Sequence, residues 1–212
     1  MTSLSIAAAA DQRISHRLAA LAVVPLMLAA PALAWAKSGA PAAPNPAPTT
    51  PVVNTTITEA EVLAAQKAWG DALVRISTEF DQDGLQKAKA TASAIIDAAY
   101  GYQMGPVLFK PTLTQLPQTF RLTREGALAY FVGDNPAFPK DTGFALKGWR
   151  KVAIDNAGIH IHGDVATTMG KVTVTDKNGR QTTVDKTWQF KKDDTGALRI
   201  VLHHSSLPYA PK

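Results

Sequence analysis

Residues 165–190 read VATTMGKVTVTDKNGRQTTVDKTWQF. Val165–Val174 and Thr183–Phe190 are rich in β-branched and aromatic residues, and they flank Asp176-Lys177-Asn178-Gly179, a tight-turn sequence. This is an antiparallel hairpin. A second turn, Asp193-Asp194-Thr195-Gly196, leads into Leu198–Ser205, so at least the last three strands form an antiparallel meander. Upstream, Val107-Leu108-Phe109, Leu128–Val132, Phe144–Val152 and Ile159–Ile161 read as further strands.

Before these strands the period changes to that of a helix. Thr58-Glu59-Ala60-Glu61 has the capping-box spacing, in which the threonine hydroxyl and the glutamate satisfy each other's free backbone donors at a helix start. Val62, Trp69, Leu73, Ile76 and Phe80 then recur at three- and four-residue spacing, so one face is apolar. Gln66 is the polar member of that stripe and reads as a capped or partly exposed side chain, with a cavity-lining role as the alternative. Asp81-Gln82-Asp83-Gly84 ends the first helix, and a second runs from Leu85 to Tyr100 before Gly101. Helices followed by a run of strands imply an α+β domain whose N-terminal helices pack on one face of a curved, mainly antiparallel sheet. The cone-like fold of nuclear transport factor 2 and its relatives fits this order and leaves a pocket between helices and sheet.

The first fifty residues lie outside that pattern. Arg13 and Arg17 precede an apolar run, Leu18–Leu33, which contains Pro25 and ends before Ala34-Trp35-Ala36. The run is shorter than the roughly 20 residues of a membrane-spanning helix, so residues 1–36 read as a secretory signal peptide cleaved after Ala36. Residues 37–56 form a linker whose stretch GAPAAPNPAPTTPV, residues 39–52, carries five prolines. The expected domain spans 57–209, with 210–212 as a tail. The implied location is the periplasm or the exterior.

The chain has no cysteine, so an exported domain must be stable through its core alone. Losing Asp11, Arg13 and Arg17 with the leader lowers the formal charge of +5 by one. The remaining excess is small and scattered, which argues against nucleic acid as a partner.

Four of the five histidines fall in two places, GIHIHGD (158–164) and LHHSSLPY (202–209). In the final strand, alternation puts Arg199, Val201, His203 and Ser205 on one face and Leu198, Ile200, Leu202, His204 and Ser206 on the other. Each face therefore pairs an imidazole with a hydroxyl. His160 and His162 share a side of their strand, a spacing that grips a metal when a third ligand comes from a neighbouring strand. Zinc with an open position would supply hydroxide near neutral pH. An exposed, structural His-x-His pair beside Gly163 is the competing reading.

LFKPT (108–112), AYFVGDNP (129–136), DTGFALKGW (141–149) and HHSSLPY (203–209) occur in an order that resembles the iota-class carbonic anhydrases, over roughly Ile57–Tyr209. The resemblance implies reversible hydration of carbon dioxide to bicarbonate in the pocket, by a homodimeric enzyme acting without a metal; zinc or manganese is the alternative. The bicarbonate site that it implies falls on Thr112, Tyr130, His203 and Ser205, with His204 and Ser206 as the fallback for the last two. Apolar side chains from Trp69, Phe109 or Trp149 would hold carbon dioxide. Thr112 and Ser205 would hold the water, and His203 or Tyr130 would take its proton, with His203 favoured because its ordinary pKa of about 6.5 lies nearer neutrality than tyrosine's, about 10. A non-catalytic small-ligand or dimerisation module on the same fold is the competing function.

Overall fold

The computed structural model describes residues 53–211. The signal-peptide reading and nearly all of the linker lie outside them. Helix α1 (Glu59–Asp83) begins at Thr58, whose side chain accepts from the Glu61 amide while the Glu61 carboxylate accepts from the Thr58 amide. Gly84, at φ +81°, ends α1 and opens α2 (Leu85–Ala99). A third helix, α3 (Arg124–Val132), follows the short strand β1 (Leu108–Lys110). The long strands β2 (Trp149–His162), β3 (Val165–Asp176), β4 (Gln181–Lys192) and β5 (Leu198–Ser206) complete a five-stranded sheet in the order β1-β5-β4-β3-β2. β1 runs parallel to β5 and the other pairs are antiparallel. This is the expected α+β arrangement, with the helices packed on a mainly antiparallel sheet.

The core fills the space between the two layers. Val62, Trp69, Leu73 and Ile76 of α1 meet Val172, Val174, Trp188 and Phe190 of the sheet, and Trp69 packs edge-on against Trp188 at 5.5 Å. α1 approaches β2 closely at Gly70, where a Cβ would sit 3.2 Å from the Val152 side chain. A Cβ there would require the Val152 side chain to give way by a few tenths of an ångström.

Four sequence expectations need correction. Leu128–Val132 is helical, not a strand: five apolar residues do not distinguish the two states, and Thr123 caps the helix by accepting from the Gly126 amide. Tyr130 therefore projects from a helix. Phe144–Val152 splits into a 3-10 turn (Phe144–Leu146) and the start of β2, which continues through Ile159–Ile161 past a register shift between Asn156 and Gly158. Gln66 is fully buried, because its amide exchanges hydrogen bonds with Asn156 and donates to Thr168 Oγ1.

The fourth correction bears on the site. Phe190 pairs with Ile200 and Gln189 with Leu202, so Val201 is an extra residue in β5. A bulge of this kind reverses which face the following side chains take. Ile200 points inward on one side of it, and His203 and Ser205 point inward on the other. Strict alternation from Arg199 fails across Val201 but holds from His203 onward.

Candidate active site

A cavity of about 200 Å³ lies between α1, α3 and the inner face of the sheet. Much of its wall is apolar, from Phe131, Phe144, Val172, Val174, Val184 and Leu207. Trp69 and Trp149 close it from α1 and from the start of β2. Thr112, Tyr130, Lys186, His203 and Ser205 bring polar atoms to the same space. All four residues of the expected bicarbonate site thus line one cavity. Phe109 sits behind it, stacked on the His203 ring at 4.3 Å.

Thr112 follows β1 and is carried to β5 by the parallel pairing of Phe109 with His203. Its hydroxyl donates to Ser205 Oγ at 2.8 Å. The Ser205 hydroxyl hydrogen is then left to donate elsewhere, and the cavity is the space beside it.

His203 is buried and held from both sides. Trp69 Nε1 donates to Tyr100 Oη at 3.1 Å, and Tyr100 Oη lies 2.8 Å from His203 Nδ1. On the other side of the ring, Nε2 is in contact with Lys186 Nζ. Burial, above all, holds the His203 pKa well below its ordinary value, so the ring is neutral near pH 7. Burial likewise raises the Tyr130 phenol, with a backbone hydrogen bond from Leu113 offsetting part of the rise. Tyr130 is accordingly a hydrogen-bond donor and a poor base.

The sequence reading missed two members of this group. Lys186 is 5% exposed, and its Nζ lies over the indoles of Trp69 and Trp188, at 4.6 and 5.1 Å from the ring centroids. Burial lowers its pKa to about 7. The signal was present, because Val184, Lys186, Trp188 and Phe190 occupy one alternating row of β4. In the sequence Tyr100 marks only the end of the second helix. It forms a bridge to Ile200, and burial raises its pKa far above the usual phenol value.

The fallback pair is on the wrong face. His204 is exposed, and it lines a shallow outer depression with Ser206, Met169 and Thr187. His160 and His162 are exposed on the edge strand β2, and among the described residues no group of three histidine, cysteine, aspartate or glutamate side chains could hold a metal. The donor set for the zinc or manganese alternative is therefore incomplete where the sequence had placed it.

Comparison with known proteins identifies the group to which this arrangement belongs. Residues 60–207 match the family described as metal-independent carbonic anhydrase. A protein of that description from Nostoc sp. (strain PCC 7120) is 69% identical over 160 residues, which cover 76% of this chain and 78% of the relative. The crystal structure of a cyanobacterial iota-carbonic anhydrase complexed with bicarbonate superposes with a TM-score of 0.74 at 68% identity, covering 77% of this chain and 99% of that one. The chain belongs to the metal-independent carbonic anhydrases.

Proposed function

We propose that the cavity lined by Thr112, Tyr130, Lys186, His203 and Ser205 is where this carbonic anhydrase hydrates carbon dioxide. The observation that carries this reading is the Thr112–Ser205 hydroxyl pair facing a largely apolar space beside a buried, neutral histidine. A water occupies about 30 Å³ in the liquid, so 200 Å³ admits carbon dioxide with a water beside it. The apolar wall suits the uncharged gas, and the hydroxyl pair suits the water and the bicarbonate oxygens.

In the hydration direction Ser205 and Thr112 orient the water, whose oxygen attacks the carbon of carbon dioxide. One carbon–oxygen π bond becomes a lone pair, and Tyr130 and Ser205 donate to the oxygens that gain charge. The water's proton must leave in the same step. Positioning accounts for much of the rate, since no metal lowers the pKa of the water from about 15.7. His203 is not placed to take the proton directly, because both ring nitrogens are engaged with Tyr100 and Lys186.

Stopped-flow hydration assays on residues 37–212 after chelator dialysis test the assignment. Thr112→Ala, Ser205→Ala, His203→Ala and Tyr130→Phe should each lower kcat/KM, by about 10- to 1000-fold for the loss of one positioned donor or acceptor. Four folded variants with wild-type rates would remove this cavity from the reaction.

Two further expectations stand as proposals. Export to the periplasm or beyond rests on Arg13, Arg17 and the Leu18–Leu33 run, and N-terminal sequencing of the mature protein should begin at Lys37. A homodimer is supported by the outer face of the sheet, which is uncovered among the described residues and where Leu108 and Met169 are 57% and 62% exposed. Light scattering should give twice the mass of one chain.

A further inference from the structure

We propose that Lys186 is the proton acceptor of the hydration step, with its amine neutral at rest and held in place by His203. The proposal rests on the reading of the cavity given above and begins from the polarity of a hydrogen-bond chain. An indole nitrogen can only donate, so Trp69 donates to Tyr100 Oη. Tyr100 is 1% exposed, and His203 Nδ1 is the acceptor within reach of its own hydrogen. Placed there, that hydrogen makes Nδ1 an acceptor, and a neutral imidazole then carries its proton on Nε2. Nε2–H points at Lys186 Nζ and needs a lone pair there. An ammonium group has none. The four side chains are jointly satisfied when Lys186 is an amine.

The indole faces of Trp69 and Trp188 favour an ammonium, and the depth of burial outweighs them. Among the described residues no carboxylate lines the cavity, and Lys186 Nζ meets His203 Nε2 and the two indoles. The titratable groups around it are His203 and His204 of β5, Tyr100 after α2, Tyr130 of α3 and Lys147 before β2. Both histidines are held below their ordinary values and both tyrosines above theirs. Desolvation brings Lys186 down to about 7, between the two sets.

The step balances. Rotation about the Cε–Nζ bond turns the lone pair from Nε2 into the cavity. The amine takes one proton from the water as the water oxygen bonds to carbon, which gives bicarbonate and a Lys186 ammonium. The new cation faces the new anion. Release of bicarbonate leaves the ammonium without a counter-ion in a buried site, and it returns its proton to solvent. Between turnovers the Nε2–H bond occupies the lone pair, which keeps the amine from adding to carbon dioxide itself.

Because the chain has no cysteine, the test can be made with one engineered thiol. Lys186→Met should lower kcat for hydration by about 100-fold or more, the ordinary span of general-base help, while the midpoint of its melt shows a folded protein. Lys186→Cys, aminoethylated while unfolded and then refolded, restores an amine of lower basicity. It should recover activity, and the rise of kcat with pH should begin at a lower pH than in wild type. In the unaltered protein, nitrogen NMR of the lysine side chains should show one amine titrating near pH 7, together with the rise in kcat. An amine that titrates near 10, or a folded Lys186→Met with wild-type kcat, overturns the proposal. Loss of activity in Thr112→Ala and Ser205→Ala alongside full activity in Lys186→Met would sink the lysine while leaving the cavity assignment intact. Wild-type activity in all three would sink both.

Discussion

Strand β4 buries two lysines on the same face, six residues apart, and the two do opposite things. Lys192 is 7% exposed and meets the Glu61 carboxylate at 2.8 Å and the Thr56 carbonyl at 2.7 Å. It ties the segment before α1 to the sheet. Lys186 is 5% exposed and meets a histidine nitrogen and two indole faces. Neither burial nor strand position distinguishes them. The partner does, because a carboxylate and carbonyls call for an ammonium, whereas an Nε2–H donor calls for an amine. The same residue type is thus a structural tie at one end of the row and a reactive group at the other.

The largest contrast should appear in activity. Lys186→Met should lose about 100-fold or more in kcat, whereas Lys192→Met should stay within about threefold, since general-base help is confined to the first. Equal losses in two folded variants would mean that β4 acts only as a scaffold.

Stability against pH offers a smaller contrast with a definite sign. Lys186 has a folded-state pKa of about 7, below the unfolded value of about 10.4. Between those values the unfolded chain binds the extra proton, so stability rises with pH across that window. From pH 7 to about 9.5 the gain is bounded at roughly 3 kcal/mol by the 1.36 kcal/mol per unit of linkage. Denaturant titrations at the two pH values should show the rise in wild type and in Lys192→Met, and its loss in Lys186→Met. A wild-type curve that is flat over this range would mean an ordinary, charged lysine.

The smallest effect belongs to Lys192. Its contact and the Thr58 donors hold the Glu61 carboxyl down at about 2, so their stabilisation is present above about pH 4 and fades as pH falls toward 2. Lys192→Met should lower the melting temperature by about 5 °C at neutral pH and flatten that acid-side loss. Scanning calorimetry at pH 7 and pH 3 reads both.

The same strand row shows what could be read from the sequence. Turn residues at Gly179 and Gly196 and the Thr58–Glu61 box signalled the meander and the start of α1, because each encodes its geometry locally. The Leu128–Val132 run did not, since a short apolar segment suits a helix as well as a strand, and the Thr123 cap decides between them. His203 and Ser205 were legible as one face, but their inward direction depends on the Val201 bulge, which is set by pairing with β4. Lys186 and Tyr100 were hidden for a different reason. Their roles arise from contacts across 17 and 103 residues of chain with one imidazole, and no local pattern records those.

On the proposed reading, the Thr112–Ser205 pair and its neighbours hydrate carbon dioxide without a metal. Oxygen-18 exchange between carbon dioxide and water, followed by mass spectrometry on chelator-treated protein, tests it most directly. Wild type should exchange label well above the uncatalysed rate, and Thr112→Ala combined with Ser205→Ala should fall to near that rate while remaining folded. Label exchange that stops on chelation and returns with one added metal, or that survives in the folded double variant, would contradict the account.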